Sequence, residues 1–274
     1  MTDFPDFETL AIENRDGFLT LWLNRPEARN ALTSEMIEEL RAVFTILRTR
    51  TDIRAVTLRG RGGVFCAGGD LKGFRTIFQG GQTPKEIAKA NEVVGGLLDT
   101  INETPQVTIA LVEGAAMAGG FGILCVCDLV AVTRDARFAL TETTLGIPPA
   151  QIAPFVAARI GLPATRRLAL TAGRLTGADA RELGLADHVA EDADGLTAYE
   201  SEMRYRIRKC APAANAITKE IILATRTMNR AELIGFAAKG FARAILSDEG
   251  REGVASFLEK RSPYWASSGK MEEG

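Results

Sequence analysis

Two glycine-rich stretches have the residue types suited to holding a developing negative charge: GRGGVFCAGGDL (60–71) and GAAMAGGFG (114–122). Each follows an apolar run, RAVTLRG (54–60) or VTIALVEG (107–114), that reads as a buried strand. Glycine after a strand lets backbone approach a ligand closely and leaves amide N–H groups free to donate. Two such loops converging would aim two N–H groups at one oxygen and stabilise an oxyanion, where losing one donor typically costs roughly 100- to 1000-fold in rate. Neither loop has the GxGxxG or GxxxxGKS/T spacing, which argues against nucleotide phosphate. Taken singly, each also reads as a tight turn. Their joint occurrence points to chemistry.

Other chemistries find less support. Of four cysteines in 274 residues, Cys125 and Cys127 stand two apart rather than as a CxxC pair. With a single histidine, this favours small buried thiols over a metal site, and a reducing cytoplasmic setting. The lone His188, in ADHV after a helix and at the start of a short strand-like element, reads as structural rather than as a base. A net charge of −2 from 33 basic and 35 acidic residues provides no global field for nucleic acid or an anionic membrane. No apolar run approaches the roughly 18 residues needed to span a bilayer. The acidic start MTDFPDFETL lacks a basic segment followed by an apolar one, so no signal or transit peptide is expected.

The elements that must position the two loops alternate in type. Residues 8–24 read as two strands around Arg15-Asp16-Gly17, the second alternating Leu19, Leu21 and Leu23. A helix follows, capped by Thr33 or Ser34, with Met36, Leu40, Val43 and Leu47 on one face. Helix 84–103 and strand LVAVT (129–133) continue the alternation, which argues for an α/β core with parallel connections. Beyond about residue 195 only helical runs remain, broken at Pro212 and Asn229-Arg230. The chain divides on this reading into an α/β core, 1–195, that carries the site and a helical region, 196–274. Phe74, Ile77 and Phe78 are candidates for an acyl pocket or a core stripe.

LNRPEARNAL (23–32), FCAGGDL (65–71), the 114–128 segment and ADARFALTETTLGIPPA (134–150) resemble, in order and spacing, the signatures of the crotonase (enoyl-CoA hydratase/isomerase) superfamily. GRLTGADARELGLADHV (173–189) and EGREGVASFLEKRSPYW (249–265) extend the likeness over nearly the whole chain. The resemblance implies a β-β-α spiral core with a C-terminal helical trimerisation region, and a trimer or dimer of trimers. The ligand it implies is an acyl-CoA thioester, with coenzyme A part of the substrate and no separate cofactor or metal.

Carried over by position, the oxyanion donors fall on the backbone of Ala67 and Gly119. Coenzyme A contacts fall on Arg25, Ala28, Arg29 and Ala31, on Ala67, Gly68, Gly69, Asp70 and Leu71, and on Gly119 and Gly120. Phe257 and Lys260 match tail positions that reach the nucleotide end, in many members from an adjacent subunit. Asn24 and Pro26 shape a turn, and Asp70 organises its loop. Hydratases of the superfamily commonly use two glutamates. The second matches Glu142 in FALTETTLG, whereas the first is replaced by Gly122. One glutamate suits a double-bond isomerase. Against that, ETTLGIPPAQIAPFVAARIG (142–161) looks most like the 3-methylglutaconyl-CoA and isohexenylglutaconyl-CoA hydratases of leucine and acyclic terpene breakdown, where glycine at the first position is common. Hydration of a branched glutaconyl-CoA is therefore the leading expectation, with isomerisation and non-catalytic CoA-ester binding as alternatives.

Overall fold

The computed structural model describes residues 4–70 and 80–266. The chain opens with a hairpin, β1 (Leu10–Arg15) and β2 (Phe18–Leu23), paired in register from Leu10 opposite Leu23 to Arg15 opposite Phe18. Asp16 and Gly17 turn it with φ of 51° and 78°, the positive pair that matches strand twist. Strands β3 (Ala55–Gly60), β4 (Val107–Val112), β6 (Leu129–Thr133) and β9 (His188–Ala190) extend the sheet in the order β1-β2-β3-β4-β6-β9, all parallel after the hairpin.

Strand periodicity divides the interior between the two faces of this sheet. Leu19, Leu21, Leu23, Val56 and Leu58 point into the main core with α1 (Ser34–Leu47), which contributes Met36, Leu40, Val43, Phe44 and Leu47. Thr33 caps α1 by accepting the Met36 N–H at 3.2 Å. Phe18, Ala55, Ile109 and Leu111 face the other way, onto α6 (Ala193–Arg208) through its buried Leu196 and Ile207. Helix α6 thus packs on the second face of the large sheet. Its apolar positions cover that face.

A second layer of short segments runs alongside. Leu32 bridges Gly69 and Cys66 bridges Ala116, both in parallel. Strand β5 (Ala115–Met117) pairs parallel with β7 (Arg137–Ala139), which pairs antiparallel with β8 (Arg174–Thr176). A large-sheet strand, a second-layer segment and then a helix therefore recur: β2, Leu32, α1; β4, β5, α3 (Gly119–Cys125); β6, β7, then the kinked helix α4 (Ala153–Thr171). This is the β-β-α spiral that the resemblance implied. Helix α2 (Pro84–Asn102) packs against α1 and α3, and the short α5 (Gly177–Glu182) joins β8 to β9.

Three helices close the chain, α7 (Pro212–Ala224), α8 (Arg230–Ile245) and α9 (Asp248–Leu258), packed on one another. Arg54, before β3, ties the chain end to the body by donating to the carbonyls of Arg208 (3.0 Å) and Trp265 (2.6 Å). Among the described residues, no helix is long and apolar enough to cross a membrane.

Candidate active site

The site is assembled by register. Cys66, Ala116 and Phe138 stand side by side on three parallel segments. Three residues beyond Cys66 lies Gly69, three beyond Ala116 lies Gly119, and four beyond Phe138 lies Glu142. Adjacent strands are about 4.8 Å apart, so all three groups emerge at one edge within two strand spacings, at the carboxyl ends where ligands bind in parallel sheets.

Hydrogen bonds lock the loops together. Cys66 N–H donates to Ala115 O (2.9 Å), Met117 N–H to Cys66 O (2.9 Å), and Ala118 N–H to Ala139 O (3.0 Å). Their approach explains the glycines. A Cβ on Gly120 would stand 2.7 Å from the Cys66 carbonyl oxygen, and one on Gly119 would stand 2.6 Å from Leu32 Cδ1. Gly68, at φ +96°, would push its Cβ to 2.9 Å from that of Ala118. These positions take glycine because a neighbouring backbone or side chain already fills the place of a Cβ.

The first donor needs correction. Ala67 N–H, expected to face an oxyanion, donates instead to Arg29 O at 3.0 Å. Gly68 N–H lies 3.4 Å from Cys66 Sγ. The bridge to Leu32 uses Gly68 O and Asp70 N–H, so Gly69 turns its own amide to the opposite side, where it meets no acceptor among the described residues. Gly119, at the first position of α3, likewise has an amide N–H without an acceptor among the described residues. Among the described residues, Gly69 in the first loop and Gly119 in the second, with Gly120 and Phe121 after it, therefore keep amides without an acceptor.

Glu142 opens a short 3-10 turn, Glu142–Leu145, after β7. Thr143 anchors the turn by donating to Ala169 O at 3.0 Å. The Glu142 side chain is buried, and neither carboxylate oxygen has a hydrogen-bond partner among the described residues. Burial raises its pKa above the ordinary carboxylate value, weakly opposed by its own backbone. A carboxyl raised in this way accepts a proton more readily than an ordinary carboxylate would, which suits a group that must both accept and give one back.

Two other features differ from the usual two-carboxylate arrangement or were missed in the sequence. At Gly122 a Cβ would meet Ile152 Cγ1 at 3.2 Å and Cγ2 at 3.3 Å, and Leu98 Cδ1 at 3.4 Å. Hydrocarbon occupies the place where a first glutamate would extend. Asn30, fully buried, was not anticipated: it donates to Arg61 O (2.9 Å) and Val64 O (2.7 Å) and accepts from Arg25 N–H (2.8 Å). Its signal was the asparagine itself, a residue type suited to the positive φ of 53° that it adopts.

The enoyl-CoA hydratase/isomerase family model matches residues 13–268. The chain belongs to this family. Among curated relatives, the enoyl-CoA hydratase EchA19 of Mycobacterium tuberculosis is 33% identical over 92% of this chain and 94% of its own length. Among solved structures, AtuE of Pseudomonas aeruginosa is 46% identical with a TM-score of 0.92, covering 94% of this chain and 100% of that one. An enoyl-CoA hydratase/isomerase from Marinobacter aquaeolei is 42% identical with a TM-score of 0.90, covering 94% and 99%. The fold is the α/β crotonase fold, and the chain is an enzyme of the hydratase type.

Within this hydratase/isomerase fold, the segment expected to contact coenzyme A lies against the first loop. Arg29 O accepts from Ala67, and Leu32 N–H donates to Gly68 O at 2.8 Å. Ala28 and Ala31 lie on this turn, Arg29 is exposed, and Arg25 Nη1 donates to Ala31 O at 3.0 Å, so Arg25 braces the segment. Asp70 N–H donates to Leu32 O at 3.0 Å, and Gly120 lies within the buried start of α3. Leu71, Phe74, Ile77 and Phe78 fall outside the described residues. Phe257 and Lys260 lie at the end of α9, which packs on α7 and α8, and Phe257 is 83% exposed. His188 is stacked on Tyr199 with ring centroids 4.6 Å apart. Burial pushes the Cys66 and Cys127 thiols up to about 12, and that of Cys125 upward too, so none is a ready nucleophile.

Proposed function

We propose that this enzyme adds water across the α,β double bond of an acyl-CoA thioester, with Glu142 as the sole carboxylate at the reacting carbons. The substrate on this reading is a branched glutaconyl-CoA, of the 3-methylglutaconyl or isohexenylglutaconyl kind, in leucine or acyclic terpene breakdown. What supports the reading is the shared register of the segments that carry Gly69, Gly119 and Glu142, with both amides and the buried carboxyl lacking partners among the described residues. The likeness of residues 142–161 to glutaconyl-CoA hydratases supports the acyl class.

In this mechanism the thioester oxygen accepts from the two amides. Glu142, ionised, takes a proton from water as the water oxygen bonds to the β-carbon, and the π electrons move onto the thioester oxygen. The enolate then collapses, and its α-carbon takes the proton back from Glu142. One carboxyl thus removes and returns a single proton, and the net change is addition of water. Coenzyme A is held on this reading by Ala28, Arg29 and Ala31, by Gly68 to Asp70, and by Gly119 and Gly120. Exposed Ile222, Phe241, Leu246 and Phe257 on α7–α9 support assembly into a trimer or a dimer of trimers.

Mass spectrometry of the products from a panel of glutaconyl-CoA analogues of graded branch length tests the reading. Gain of one water, lost in Glu142→Gln, is the expected result. Gly122 favours a second reading, isomerisation, because a proton moved between two carbons needs no second carboxylate. A product of unchanged mass with a shifted double bond would establish it instead.

A further inference from the structure

Gly122 lies one helical turn beyond Gly119, on the same face of α3. On the thioester reading above, the first acyl carbons of a chain whose oxygen meets the Gly69 and Gly119 amides pass residue 122. What they meet there is not polar. Ile152 Cγ1 and Cγ2 and Leu98 Cδ1 stand 3.2, 3.3 and 3.4 Å from where a Cβ on Gly122 would sit, and Ile152 and Leu98 are 7% and 1% exposed. The backing is rigid. Ile152 N–H donates to Pro149 O at 3.1 Å, the Ile152 carbonyl accepts from Phe155 (3.0 Å) and Val156 (3.1 Å), and Leu98 lies on the long helix α2. The loop that begins at Glu142 ends at Ile152, so one segment holds both the carboxyl and this apolar surface.

We propose that Ile152, backed by Leu98 and given room by Gly122, is a specificity-determining residue: it is the wall on which an apolar substituent at the acyl β-carbon rests, selecting branched over unbranched thioesters. The physical argument is exchange of contacts. A water held at this wall has no hydrogen-bonding partner on it, whereas a methyl or alkenyl branch gains dispersion contacts and leaves water. An unbranched chain leaves the wall unfilled. One methylene in an apolar pocket is worth about 10- to 200-fold in discrimination. The proposal rests on the thioester reading above for the position of the acyl chain.

The test compares wild type with Ile152→Val and Ile152→Ala in two measurements. Calorimetry gives Kd for the unreactive pair 3-methylbutanoyl-CoA and butanoyl-CoA, and kinetics give kcat/KM for 3-methylcrotonyl-CoA and crotonyl-CoA. Wild type is expected to favour the branched member of each pair. The preference should fall about tenfold or more in Ile152→Ala, with Ile152→Val between. Ratios unchanged within twofold in both variants, or a wild type preferring the unbranched chain, overturn the proposal. Ile152→Val keeps the test valid should Ile152→Ala fail to fold. Hydration with unmoved ratios sinks the wall and leaves the hydratase reading standing. An Ile152-dependent binding preference without water addition does the reverse. Failure to bind any of these thioesters removes both.

Discussion

Replacing Glu142 with glutamine should raise stability while abolishing turnover, and the structure determines how the two effects depend on pH. Both carboxylate oxygens are buried and without a partner among the described residues, and desolvation raises the pKa of the group. Leaving a buried polar group unsatisfied costs about 1–3 kcal/mol, more when it is charged. Glutamine keeps a buried polar amide, so only the ionic part of that cost is relieved, about 1–2 kcal/mol. For a domain of this size that is about 2–5 °C in Tm.

Because the folded pKa lies above the unfolded one, the native state binds more protons between the two, and wild-type stability falls as pH rises through that window. The Tm gap between Glu142→Gln and wild type should therefore be small below roughly pH 4. It should widen as pH passes from the unfolded carboxylate value up through the folded one, then level off. Scanning calorimetry across pH 4 to 8 reads this directly, and a thioester hydration assay should show a loss of about 100- to 10,000-fold in kcat. Turnover within tenfold of wild type would remove Glu142 from the chemistry. A variant no more stable at pH 8 than wild type would show that the carboxyl is not held in a desolvating site.

Gly68→Ala places a Cβ 2.9 Å from that of Ala118 and 3.1 Å from Met117 O at φ +96°. Overpacking together with the left-handed backbone should cost about 2–4 kcal/mol in denaturant unfolding, with about a 100-fold loss in kcat as the loops part. Asn30→Ala strands Arg61 O, Val64 O and Arg25 N–H in a part-buried turn. It should lower stability by about 2–4 kcal/mol in the same assay and raise KM for the thioester more than it lowers kcat.

Much of this protein was legible before folding because it is local. The hairpin at Asp16-Gly17, the Thr33 cap and the alternation of Leu19, Leu21 and Leu23 follow from short-range sterics and periodicity, and the structure has each in place. The glycine loops and Glu142 were likewise legible as residue types in a fixed order. Strands β5, β7 and β8, three residues each, are too short for an alternation to show and exist only because neighbours pair with them. Which loop amide is free depends on whether its neighbours meet Arg29 and Leu32, more than thirty residues upstream, and this moves the first donor from Ala67 to Gly69. That Gly122 is walled by Ile152 and Leu98 depends on how two separate helices seat against α3. Residue type and local period are written along the chain. Hydrogen-bond occupancy and the filling of a vacant side-chain position are long-range quantities, determined only when distant backbone comes into register.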